Sequence, residues 1–235
     1  MAKDVTVITG ASRGIGKAIA LTLAKENHNL ALFGRDEARL SEVKSEAEKL
    51  GAEAVTFSGD ITDADFVNNS IDAVEQKFGK IDHVINNAGV GVFKKFVDST
   101  LDDFKVQVDA NIYGVFNFTR AVIDQMIERK SGSIINIAST AGKFGFKYGT
   151  TYSATKHAVM GFTKSLMLEV REFNIRVAAV CPGSVTTEMI MNTPIEPKSA
   201  EKVLAPQDVA DVVASVLKLP PRAMVSDVDI RPTNP

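Results

Sequence analysis

Ser139, Tyr152 and Lys156 are the residues whose types and spacing point most directly to chemistry. Tyr152 and Lys156 stand four apart in Tyr152-Ser153-Ala154-Thr155-Lys156. On a helix, that spacing projects the phenol and the ammonium from one face. A free tyrosine titrates near ~10 and is a poor acid or base at neutral pH. A neighbouring positive charge favours the phenolate and lowers that pKa. The pair can therefore exchange a proton with a carbonyl or alcohol oxygen. Ser139, thirteen residues earlier, can hydrogen-bond the same oxygen. The spacing alone also fits an exposed helix tyrosine and lysine, so the elements around it must decide.

Those elements begin at the N-terminus. Val5-Thr6-Val7-Ile8 is a short apolar run of strand type. It leads into Thr9-Gly10-Ala11-Ser12-Arg13-Gly14-Ile15-Gly16, then into Lys17-Ala18-Ile19-Ala20-Leu21 with helical spacing. A strand, a glycine turn and a helix N-terminus together make a phosphate cradle. Glycines let the backbone approach a pyrophosphate, and the helix end supplies free N–H groups and positive potential. The spacing is GxxxGxG rather than the GxGxxG of the general dinucleotide fingerprint.

Strand patterns follow near 4–9, 29–34, 53–58, 81–86, 132–138, 174–181 and 224–230. Helical patterns lie near 14–26, 36–50, 63–78, 101–129, 151–172 and 206–218. Asp36 and Asp63 are placed as N-caps, and Gly51 and Gly79 as C-terminal stops. This alternation predicts an α/β chain: one domain over residues 1–235, a Rossmann-type doubly wound parallel sheet of about seven strands with helices on both faces. Ile134-Ile135-Asn136-Ile137-Ala138 is nearly all apolar, as a central strand should be. Ligands in such sheets sit outside the carboxyl ends of the strands. Gly10, Gly34, Asp60, Asn87, Ser139 and Pro182-Gly183 all fall at such ends.

In this order the motifs resemble the classical short-chain dehydrogenase/reductase family. The matches are Thr9 to Gly16, Asp60, Asn86-Asn87-Ala88-Gly89, Asn111, Ser139, Tyr152 with Lys156, and Pro182-Gly183 followed by Thr187, over roughly residues 3 to 219. The resemblance implies an NAD(P)-dependent oxidoreductase acting on CH–OH groups. It makes Tyr152 the general acid or base, Lys156 its partner and a ribose ligand, and Ser139 the group that positions substrate oxygen. Asn111 would hold a water linking Lys156 to solvent; its alternative is a buried polar residue satisfied by a backbone carbonyl. The cofactor set it implies is Gly10, Ser12, Arg13, Gly14, Ile15, Gly16, Arg35, Asp60, Ile61, Asn87, Ala88, Gly89, Tyr152, Lys156, Pro182, Gly183, Val185 and Thr187. Asp60 and Ile61 would meet the adenine, and Thr187 the nicotinamide amide. Asp60 and Thr187 also read as local caps, and Asn86 as a sheet-stabilising residue.

Cofactor choice can be argued from charge. The second strand pattern ends Gly34-Arg35 with no acid at that end. An acid there would repel a 2′-phosphate, whereas Arg35, helped by Arg13, attracts it. NADP(H) is therefore expected over NAD(H); the alternative is a solvated Arg35 and use of either cofactor.

Composition limits the remaining classes. The 235 residues are 45% hydrophobic with a net charge of −2, which suits a large core and gives no reason to expect nucleic acid. No apolar stretch reaches ~18 residues, so no membrane span is expected. The polar N-terminus argues against a signal peptide, which makes the expected location cytoplasmic. Cys181 is the only cysteine and is expected as a buried thiol. His28, His83 and His157 show no metal spacing, and no metal is expected.

Substrate is less constrained. The segments expected around the pocket, Val90–Val97, Thr140–Thr151 and Glu188–Ala205, bring Phe93, Phe96, Phe144, Phe146, Met189, Ile190 and Met191. This suggests a small, partly apolar carbonyl or alcohol substrate. The ending Val228-Asp229-Ile230-Arg231-Pro232-Thr233-Asn234-Pro235 is similar to the family's broad-range 3-hydroxy acid dehydrogenases. The runner-up is a 3-oxoacyl-[acyl-carrier-protein] reductase, with Arg129 and Lys130 placed to bind the acidic carrier or simply to complement the helix dipole. Phe173, where such reductases often carry arginine, weakens that reading. A catalytically silent cofactor sensor or scaffold would be expected to lose Ser139, Tyr152 or Lys156, and all three are present. The resemblance also suggests a homodimer or homotetramer packed through 101–129 and 151–172. Apolar residues there such as Ile112, Val115, Phe116, Phe118, Val159, Phe162 and Leu166 exceed one buried stripe per helix.

Overall fold

The structure is a computed structural model that describes residues 3–233; Asn234 and Pro235 of the tail lie outside the described residues. Seven parallel strands form one sheet in the order β3-β2-β1-β4-β5-β6-β7. They are β1 Val5–Thr9, β2 Asn29–Gly34, β3 Ala54–Ser58, β4 His83–Asn86, β5 Gly132–Ile137, β6 Ile175–Pro182 and β7 Asp227–Ile230. The helices are α1 Gly14–Lys25, α2 Glu37–Lys49, α3 Ala64–Phe78, α4 Leu101–Val108, α5 Gly114–Arg129, α6 Thr150–Val170 and α7 Pro206–Leu217.

Strand periodicity explains the two layers of core. Successive side chains point to opposite faces. Ile8, Leu32, Ile85 and Ile135 pack with Ile19 and Leu23 of α1, Leu40 of α2 and Val213 of α7. Their neighbours Val7, Phe33, Val84 and Ile134 pack on the other face with Ile71 of α3, Phe118 and Met126 of α5, and Val170 at the end of α6. Continuous apolar strands are thus buried on both faces, as a parallel sheet requires.

The caps fall where the sequence places them. Asp36 accepts from the Arg39 amide, and Asp63 from the Asp65 and Phe66 amides. Gly79 closes α3 at φ 82°, a conformation that favours glycine. The expected 101–129 helix differs in its centre. Asp109–Tyr113 form a π-helical segment between α4 and α5, with Asn111 inside it. Such segments are uncommon and occur frequently at functional sites.

Candidate active site

The carboxyl ends of the strands open into a cleft of about 1420 Å³. That exceeds a drug-sized pocket and suits a dinucleotide with a second molecule. The cradle begins at Gly10 and Gly14, which take φ values of 65° and 54°. A Cβ on Gly10 would come within 2.9 Å of the Ala88 Cα, so no side chain fits there. Arg13 precedes α1 without a side-chain cap, leaving the helix N-terminal amides open to an anion. Asn87 fastens the two turns. Its Nδ2 donates to the Thr9 and Gly10 carbonyls at 2.9 and 3.2 Å. The Asn87 and Ala88 amides both donate to Thr9 Oγ1 at 2.9 Å. These features fit a pyrophosphate-bearing cofactor.

Of the sequence-predicted residues, Gly10, Ser12, Arg13, Gly14, Ile15, Arg35, Asp60, Ile61, Asn87, Ala88, Gly89, Ser139, Tyr152, Lys156, Pro182, Gly183, Val185 and Thr187 line this cleft. Gly16 and Asn111 do not. Gly16 sits in the bend behind the cradle, where a side chain would strike the Gly10 carbonyl and Asn87. The Asn111 carboxamide is buried and committed. Its Nδ2 donates to the Val90 carbonyl and Thr155 Oγ1, each at 2.9 Å, while Oδ1 accepts from the Val90 amide at 2.8 Å. Asn111 therefore braces the loop after β4 against α6. Its side chain keeps only an Oδ1 lone pair for a water. Asp60 caps no helix: its carboxylate accepts from the Thr62 amide and hydroxyl, both at 2.9 Å, while Asp63 caps α3. Asn86 donates to Asn136 at 2.8 Å inside the sheet, in its expected structural place.

Ser139 follows β5, and Tyr152 and Lys156 lie on the first turns of α6, all facing the cleft. Tyr152 is walled by Phe93 and Phe146, at 5.2 and 6.5 Å between ring centroids. Lys156 Nζ donates to the Ile137 carbonyl at 2.9 Å and lies 5.8 Å from the Tyr152 ring centroid. The electrostatics correct one sequence expectation. Burial pushes the Tyr152 phenol up to about 12, and the nearby Ser139 hydroxyl draws it back only in part. Lys156 does not offset that burial. Its own pKa is lowered to about 8, also by burial. Both effects disfavour the charged form of a desolvated group.

Two further residues have roles that the sequence reading does not give them. Thr9, the first residue of the glycine-turn motif, supplies the hydroxyl that accepts from the Asn87 and Ala88 amides. Arg39 lines the cleft beside Arg35, one turn into α2. Its guanidinium pairs with Glu188 at 3.0 Å, and Glu188 also pairs with Arg13. Three arginines thus stand at the end of the cleft near Gly34, bridged in part by one carboxylate. At the other end Phe93, Phe144, Phe146, Met189 and Ile190 line the wall as expected, but Phe96 and Met191 do not and are exposed. Cys181 is buried as expected, and burial raises its thiol to about 11.

The short chain dehydrogenase family matches residues 4–198, and the chain belongs to it. An uncharacterized oxidoreductase of Staphylococcus epidermidis is 36% identical over 230 residues, covering 98% of this chain and 97% of the relative. Among solved structures, an alcohol dehydrogenase from the archaeon Thermococcus sibiricus complexed with 5-hydroxy-NADP superposes with a TM-score of 0.90 at 32% identity, covering 98% of this chain and 97% of that one. An NAD⁺-bound xylitol dehydrogenase superposes with a TM-score of 0.89 at 28% identity, covering 98% of each chain. The protein is accordingly an NAD(P)-dependent dehydrogenase acting on CH–OH groups. No helix among the described residues is long and apolar enough to cross a membrane.

Proposed function

We propose that the enzyme interconverts a small, partly apolar carbonyl compound and its secondary alcohol, with NADP(H) preferred and a 3-hydroxy/3-oxo acid as substrate class. The observation that carries the chemistry is the buried Tyr152, set between Lys156 and an aromatic wall in the cleft that holds Ser139. A bound nicotinamide supplies or accepts the hydride. Tyr152 delivers the proton to oxygen in reduction and removes it in oxidation, while Ser139 donates to that oxygen. Lys156, with one bond to the Ile137 carbonyl, retains two N–H donors for the cofactor ribose and the phenol.

Charge along the cleft supports the finer readings. Arg13, Arg35 and Arg39 favour a 2′-phosphate. Lys198 and Lys202 line the cleft that also holds the aromatic wall, beside Arg231, which pairs with Asp229 at 3.2 Å; the two lysines favour a substrate carrying an anionic group. Carrier-bound substrates are less favoured. Arg129 is spent on the Ile81 carbonyl and Gln125, at the amino end of the sheet and away from this chain's cleft. Assembly into a homodimer or homotetramer is supported by exposed Leu101, Val106, Tyr113 and Phe116 along α4, α5 and the turn between them, and by Leu168 on α6. Of the apolar residues counted in excess of one buried stripe, Val115, Phe118 and Val159 are in the core, and Phe116 is exposed.

The test is NADPH oxidation against aldehydes, ketones, 3-oxoacyl thioesters and 3-oxo acids, with 3-hydroxy acids in reverse. Turnover of 3-oxo acids above the matching neutral ketones is expected. Preference for neutral ketones or for thioesters would overturn the acid reading.

A further inference from the structure

Asp4, His28 and His83 are far apart in sequence and meet at the amino end of the sheet, opposite the cleft. Asp4 precedes β1, His28 precedes β2, and His83 opens β4, three neighbouring strands. One ligand atom from each lies within 4.8 Å of the other two. Both imidazoles are only 8% exposed, with ring centroids 5.5 Å apart. The Asp4 carboxylate is 52% exposed and gives the cluster its opening to solvent.

Hydrogen bonding leaves this cluster incomplete. His28 Nδ1 pairs with Thr6 Oγ1 at 2.9 Å, which fixes the ring and leaves Nε2 to ligate. His83 Nε2 faces Asp4 Oδ2 at 3.5 Å, while its buried Nδ1 has no hydrogen-bond partner. Buried polar atoms without partners are rare in folded proteins. Two imidazoles and a carboxylate are the donor set of late first-row divalent metals.

We propose that Asp4, His28 and His83 bind a divalent transition-metal ion of the zinc type, with water completing the coordination. Metal–ligand distances near 2.1 Å allow ligand atoms no more than ~4.2 Å apart. The set must therefore close slightly, and rotation of the exposed Asp4 side chain can supply that. Among the neighbouring charges, the Lys80 ammonium is held on Asp82 at 2.8 Å, and Glu26 pairs with Lys218. A metal here would pin β1, β2 and β4 together at the end remote from Tyr152, so its signature is stability rather than turnover.

The experiment uses the full-length chain without a polyhistidine tag, stripped with EDTA and titrated with zinc and cobalt(II) chlorides. Expected are one equivalent of zinc by calorimetry, a visible cobalt absorption band, and a melting temperature that rises with zinc concentration. Affinity should fall about tenfold or more in both Asp4→Asn and His83→Gln. It should also fall as pH is lowered, because protons compete with the metal for its ligands. His157→Ala, an exposed histidine elsewhere, should bind as wild type. Absence of zinc heat and cobalt band, or unchanged affinity in Asp4→Asn, would overturn the site. Asp4 is exposed and outside the strands, so that variant decides the matter even if His83→Gln does not fold.

Discussion

The Glu188 carboxylate lies 3.0 Å from the Arg39 guanidinium, tying the segment after β6 to the first turn of α2 across the cleft. Arg13 meets the same carboxylate. Glu188 therefore competes with any phosphate for two of the three arginines at this end. Arg35→Ala should cut NADPH affinity about tenfold or more and leave NADH affinity nearly unchanged, since a charged hydrogen bond is worth about 1.5–3 kcal/mol. Glu188→Ala should do the opposite. The pairs it breaks are about half exposed and are worth at most about 1 kcal/mol, so NADPH binding should tighten about two- to fivefold. Fluorescence titration of both variants with both cofactors checks this. NADH binding wild-type protein as tightly as NADPH would sink the argument.

Thr9 is expected to matter for stability more than its size suggests. Its hydroxyl accepts from the Asn87 and Ala88 amides, and valine would fill the same space without an acceptor. Each buried N–H left unpaired costs about 1–3 kcal/mol. Thr9→Val should therefore destabilise by about 2 kcal/mol or more in urea unfolding and weaken cofactor binding with it. Thr9→Ser, which keeps the oxygen, should recover most of both.

Assembly gives a third prediction. Phe116 is 52% exposed on α5, and Tyr113 beside it is 53% exposed. Phe116→Glu should shift the assembled protein toward monomer in light scattering at micromolar concentration. A wild-type monomer there would overturn the oligomer reading.

Local signals carried most of the fold. Glycine at a turn, aspartate at a cap and apolar strands each have a period or an offset, and the cleft follows from where strands end. What was not legible depends on packing at long range. The sequence placed Lys156 near Tyr152, but the sign of the phenol's shift depends on how deeply both are buried, which spacing does not encode. Asn111 is legible as a polar residue within a helical pattern, yet not the π-helical turn around it or its bonds to Val90. His28 and His83 have no ligand spacing because they sit on different strands, and only the sheet order brings them together.

The Tyr152 phenol defines the next prediction. With its pKa raised to about 12, it is protonated throughout the working pH range and ready to donate. Reduction should therefore show no loss from Tyr152 ionisation between about pH 6 and 9. Oxidation needs the phenolate, so its kcat/KM should climb about tenfold per pH unit while pH stays below the operative pKa. A flat oxidation profile would exclude Tyr152 as the base. Tyr152→Phe keeps the ring against Phe93 and Phe146; it should retain NADPH binding and lose about 10²–10⁴-fold in turnover.

Lys156 should leave a separate mark on stability. In the cofactor-free fold its pKa is lowered to about 8, against 10.5 for the unperturbed side chain. Below about pH 8 both native and unfolded chains carry the proton, and the native state bears the full cost of a buried charge. Between about 8 and 10.5 the native state has released it while the unfolded chain still holds it. Stability must then rise with pH, by up to about 1.4 kcal/mol per unit. Tyr152 acts in the reverse direction only above about pH 10, where the unfolded phenol ionises first. The clean window is therefore about pH 7 to 9.5. Lys156→Met keeps the length and removes the charge, so it should be the more stable protein at pH 7, with wild type closing the gap as pH rises. Urea unfolding of both proteins across that window measures the difference, and a gap independent of pH would show that Lys156 is not desolvated. Added NADPH should bind wild type more tightly than Lys156→Met, because only wild type offers the ammonium to the ribose.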